Sequence, residues 1–88
     1  PMKVRILSNN CFLIDSDSWL YCQSYETIVG MYNKELGKVV LGRKWDCSRT
    51  TLKHIKLFLA KIFDEPLSKK VIDDMIENGK ITYDDMLV

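Results

Sequence analysis

The chain is poor in the residues that ordinarily carry chemistry. It has one histidine, His54, and three cysteines, Cys11, Cys22 and Cys47, among 88 residues. An odd number of cysteines, 11 and 25 positions apart, fits neither a disulfide framework nor the paired spacing of a zinc site. All three are expected as reduced thiols that pack like small apolar side chains. The sharper alternative is a reactive Cys47, which stands just before a helix start, where the positive end of the helix dipole lowers a thiol pKa. That reading lacks an orienting partner, because His54 belongs to the same helix and no third residue is marked. The four glycines are scattered, which excludes a glycine-rich phosphate loop. The neighbouring carboxylates Asp73–Asp74 and Asp84–Asp85 diverge by about 100° on a helix and do not converge on a substrate. A calcium loop between Asp74 and Asp85 fails at Ile76, which stands where an oxygen ligand is required. No catalytic residue, metal or cofactor is expected, and the chain reads as a non-enzyme. No apolar run approaches the roughly 18–20 residues that span a bilayer, and no signal-peptide pattern opens the chain, so a cytosolic protein without a membrane partner is expected.

What the sequence does contain is a clear change of pattern near its middle. With 47% hydrophobic and 28% charged residues it reads as one small domain over 2–88, Pro1 being a residue left by cleavage of an expression tag. The first half holds short apolar runs bounded by polar turns: Met2–Leu7, Cys11–Ile14, Trp19–Gln23, Thr27–Tyr32 and Lys38–Trp45. No helix separates them, so antiparallel pairing is the economical reading. From Ser48 to Phe63 the period becomes helical, with Leu52, Ile55, Leu59 and Ile62 forming an apolar stripe and Lys53, His54 and Lys61 pointing away from it. Ser48 or Thr50 can cap this helix, and Asp64-Glu65-Pro66 stops it. Ser68 caps a second helix, Lys69–Asn78, which Gly79 ends. Thr82–Leu87 reads as one more helical turn, with Thr82 and Asp85 at capping-box spacing. Strands first and helices second predict an α+β domain: a small antiparallel sheet from the N-terminal half packed against the central helix, followed by one or two short C-terminal helices.

Charge is divided more sharply than the net +1 suggests. From Lys34 to Lys61 eight cations face two acids, whereas from Ile62 onward three lysines face seven acids. Arg43, Lys44, Arg49, Lys53 and Lys61 are the candidate contacts for a partner protein or for phosphates. Leu57, between Lys53 and Lys61 and off the apolar stripe, is the expected exposed anchor among them. Asp73, Asp74, Glu77, Asp84 and Asp85 form a candidate acidic surface for a basic partner. The acids of the second helix disfavour it as a DNA-reading helix, and no RNA-binding motif frames the aromatics Trp19, Tyr21, Tyr25 and Tyr32. Nucleic-acid binding through the cations remains the competing class. A chain this short buries only about 60–65% of its unfolded surface, so a partner, either a second copy of itself or a target, is favoured.

Ser24-Tyr25-Glu26-Thr27-Ile28-Val29, followed by Trp45 and by Ser48-Arg49-Thr50-Thr51-Leu52-Lys53-His54-Ile55-Lys56-Leu57-Phe58-Leu59, has the form SYxTxV then W and SxTTxKHIxxFL. Over Tyr21–Phe63 this resembles a group of small uncharacterised proteins carried by bacteriophages, prophages and plasmids. The resemblance implies no activity, but it implies a setting, the bacterial host cytoplasm. Small proteins in that setting frequently bind and disable a host protein, CRISPR nucleases and other defence systems among them.

Overall fold

Alternating apolar runs and tight turns make a continuous meander, and the computed structural model, which describes residues 2–84, pairs each strand with the next. The strands are β1 (Lys3–Ser8), β2 (Cys11–Asp15), β3 (Trp19–Ser24), β4 (Thr27–Asn33) and β5 (Lys38–Gly42), all antiparallel neighbours. At one end of the sheet the chain reverses through left-handed residues, Asn10 (φ 60°) and Tyr25 (φ 54°). At the other, the Asn33 carboxamide accepts from the Glu35 and Leu36 N–H groups at 3.0 Å, and Gly37 supplies the positive φ that returns the chain. Two helices follow, α1 (Arg49–Phe63) and α2 (Lys69–Glu77). Each is capped as its sequence demands: Ser48 Oγ accepts from the Thr51 N–H at 3.0 Å, and Ser68 Oγ from the Val71 N–H at 3.2 Å. The domain is α+β.

The structure corrects the reading of the C-terminal segment. Where a helical turn is expected from Thr82, the chain forms a sixth strand, β6 (Ile81–Asp84), parallel to β5, and residues 85–88 lie outside the described ones. The physical cause is remote in sequence. β5 would otherwise present an edge of unpaired backbone groups, and the two helices supply the crossover that a parallel neighbour requires. β5 itself ends at Gly42 rather than at Trp45, which turns inward and is 1% exposed. Its indole Nε1–H donates to Tyr83 Oη at 3.3 Å, and the Lys69 ammonium lies 5.6 Å from its ring centroid, so Trp45 ties β6 to α2.

The core lies on one side of the sheet. In register order, Leu13, Cys22, Gly30 and Leu41 make one cross-strand row, and Leu20, Tyr32, Val39 and Ile81 make another. On these rows α1 packs Ile55, Phe58 and Leu59, α2 adds Ile72, and the connection between them adds Leu67. Gly30 is what lets α1 lie so close. A Cβ there would sit 3.2 Å from Leu41 Cδ2 and 3.3 Å from both Ile55 Cδ1 and Phe58 Cε2, tighter than ordinary packing.

Among the described residues, no helix covers the other side of the sheet. Its residues alternate with the core-facing ones and are mostly apolar: the central row runs Val4, Ile14, Tyr21, Met31, Val40 and Thr82 across all six strands. Beside it lie Ile6, Phe12, Gln23 and Ile28 on one flank and Trp19, Asn33 and Lys38 on the other. The Trp19 and Tyr21 rings stack at 6.2 Å. None of this face's apolar residues belongs to the core cluster, and Val4 and Ile6 remain 60% and 75% exposed.

Candidate functional site

The outward side of α1 is where the structure gathers half of the expected binding residues, Arg49, Lys53 and Leu57. Successive helical turns bring Arg49, Leu52, Lys53, Lys56, Leu57 and Ala60 alongside Pro66 and Leu67 of the inter-helix connection, around a groove of about 440 Å³. The floor is apolar and the rim carries three cations. Leu57 differs from expectation: it is half-buried rather than fully exposed, because Leu67, itself buried, closes beside it and makes it part of the floor. Lys56 and Leu52 complete the groove. The helical period itself could have found them, since both lie within one turn of Lys53.

Three expected members of the basic surface lie elsewhere. Arg43 stands at the end of β5 with its guanidinium 5.8 Å from the Tyr83 ring centroid. Lys44 lines a separate shallow hollow with Ser24, Tyr25, Cys47 and Thr51. Lys61 is exposed in the last turn of α1, outside the groove. The cations therefore do not form one continuous stripe.

Two of the five expected acidic residues are engaged within the chain. On α2, Asp73 pairs with Lys69 and Asp74 with Lys70, each at 3.1 Å and one helical turn apart, and Lys69 also reaches Asp46 at 3.5 Å. The Asp73 carboxylate, with Asp46, holds the Lys69 ammonium above its ordinary range. Glu77 is exposed at the end of α2, Asp84 ends β6, and Asp85 lies outside the described residues.

The single histidine is not on the helix surface. His54 is 2% exposed and turned to the sheet, where its Nδ1 lies 2.6 Å from Ser24 Oγ and its ring also bonds the Asn9 backbone. Its own main-chain carbonyl accepts from both buried thiols, Cys11 at 3.9 Å and Cys22 at 3.8 Å. Burial, reinforced by the Lys53 charge and opposed by the Asn9 bond, holds the imidazole below its ordinary pKa. The contact with Cys11, together with burial, pushes the Cys22 thiol up, so it stays protonated at neutral pH. These side chains pin α1 to the ends of β2 and β3. Cys47 has a different setting. It is exposed, and its Sγ lies 4.0 Å from Thr51 Oγ1 rather than against the imidazole.

The frame of this architecture is a sheet, a helix pinned to it by His54, and a groove on that helix's outer side; a model of a protein family of unknown function matches residues 4–74, from β1 into α2. The chain belongs to this family, DUF8033. The matched stretch includes every residue of the groove and leaves out β6. No curated protein and no solved structure matches the chain. Among the described residues no helix is long and apolar enough to cross a membrane.

Proposed function

We propose that this DUF8033 protein is a non-catalytic binding module that docks a segment of another protein, apolar on one side and acidic along its edges, into the α1 groove. What supports the reading is one observation: an apolar floor of Leu52, Leu57 and Leu67 ringed by Arg49, Lys53 and Lys56. An apolar floor rewards removal of a partner side chain from water, and the cationic rim selects among apolar segments by charge. An amphipathic helix carrying carboxylates meets both demands. The resemblance to phage, prophage and plasmid proteins makes a host protein in the bacterial cytoplasm the first partner to try, with interference in a defence system as its sharpest form.

Affinity capture of the tagged chain from nuclease-treated bacterial lysate tests this when run beside two variants. Leu57→Asp and the double charge reversal Lys53→Glu/Lys56→Glu should each reduce recovery of a stoichiometric protein at least tenfold while leaving the circular dichroism spectrum unchanged. A partner retained equally by both variants overturns the groove as the docking site. In a parallel capture from untreated lysate, salt-sensitive recovery of nucleic acid alone, lost on reversing Arg43, Lys44, Arg49, Lys53 and Lys61, would establish the competing reading.

A further inference from the structure

The uncovered face of the sheet is independent of the α1 groove, and a different occupant fits it. We infer that two copies of this chain associate through their open sheet faces, central row against central row, with the helices directed outward.

Area is the first argument. Six strands about 4.8 Å apart, of four to seven residues each at about 3.3 Å per residue, give a face of roughly 500 Å² in plan, and more once its side-chain relief is counted. That approaches the roughly 800 Å² per partner of a stable protein interface, and it stands toward the upper end of the roughly 300–600 Å² reached by the largest patch of a typical monomer, a patch that is often functional. Charge is the second argument. Among the described residues, the face by register carries only Lys38 and Asp84 as formal charges, of opposite sign and both at its β5–β6 side. A copy meeting itself across a two-fold axis therefore encounters no excess of one sign. The α1 groove, with its three cations, would repel its own image. The same near-neutrality argues against a nucleic-acid strand stacked on Trp19 and Tyr21, since a stacking platform needs cations beside it to hold the phosphates. Sheets packed in this way lie about 10 Å apart with their strands nearly aligned, a spacing that apolar side chains such as Tyr21 and Met31 fill.

Light scattering on the intact chain across a dilution series tests the proposal. The expected mass is twice the 10.3 kDa of one chain, falling toward the single value on dilution. Tyr21→Glu and Met31→Lys should each give a monomer at concentrations where the wild type is a dimer, and Leu57→Asp should leave the dimer intact. Tryptophan quenching keeps the test decisive should the sheet-face variants not fold. Trp45 is enclosed within one copy, so the fraction of emission open to iodide reports Trp19, and it should fall as wild-type concentration rises. A wild type that stays monomeric with Trp19 open at every concentration overturns the proposal. So does a dimer that survives both sheet-face substitutions, or a monomer whose face is instead protected by added single-stranded nucleic acid.

Discussion

His54 shows how one buried polar residue can organise a small core. It is the member of α1 that reaches Ser24 and Asn9 at once, while its carbonyl receives two thiols. Because burial lowers its pKa in the folded protein, the unfolded chain binds more protons once pH falls below the ordinary histidine value near 6.5. Stability is therefore full above that value and declines as pH drops through it. Unfolding free energies from urea denaturation between about pH 7.5 and pH 5.5 should fall by at most ~1.4 kcal/mol per pH unit, and His54→Gln should flatten that slope. An unchanged slope in the variant would assign it to another group. Asp15, whose carboxyl the Lys34 ammonium holds below its ordinary 3.8, acts only in a lower range and does not confuse the reading. The inward turn of His54 was within reach of the sequence. Phe58, one helical turn further on, is fully buried, and its absence from the expected stripe of Leu52, Ile55, Leu59 and Ile62 displaced the reading of the helix face.

At the scale of elements, the strands of the N-terminal meander and both helices follow from local pattern, with Ser48 and Ser68 at the caps. β6 does not, because its partner lies about 40 residues away and the local Thr82 signal favours a helix start. Ile81-Thr82-Tyr83 is nonetheless β-branched and aromatic, and Ile81 slots beside Val39 with 1% exposure. Ile81→Ala should therefore cost about 2–5 kcal/mol in urea denaturation, the range for a truncated core isoleucine, against about 0.5 kcal/mol for Thr82→Ala on the exposed side. Equal, small effects would mean that β6 contributes nothing to the sheet. The groove was half legible. Arg49, Lys53 and Leu57 follow from the helical period, whereas Pro66 and Leu67 join them only because the chain doubles back after Phe63, which no periodicity encodes.

For the whole molecule, the decisive asymmetry is that both helices crowd one face of the sheet. Phe12 and Ile14, Trp19 and Tyr21 alternate with Leu13, Leu20 and Cys22, which are also apolar, whereas in β1 Val4 and Ile6 alternate with Lys3, Arg5 and Leu7. A strand that is apolar on both sides is written for cover on both sides, and this signal was present in the sequence before any pairing was known. The same asymmetry sorts the thiols. Cys11 and Cys22 are sealed beneath α1, while Cys47 stands outside. In excess reagent the native chain should take up one equivalent of alkylating label quickly and two more only as fast as the helix lifts from the sheet. Mass spectrometry of a labelling time course would then count openings directly. The protein thus carries its own stopwatch for unfolding, with its exposed sulfur as the internal standard.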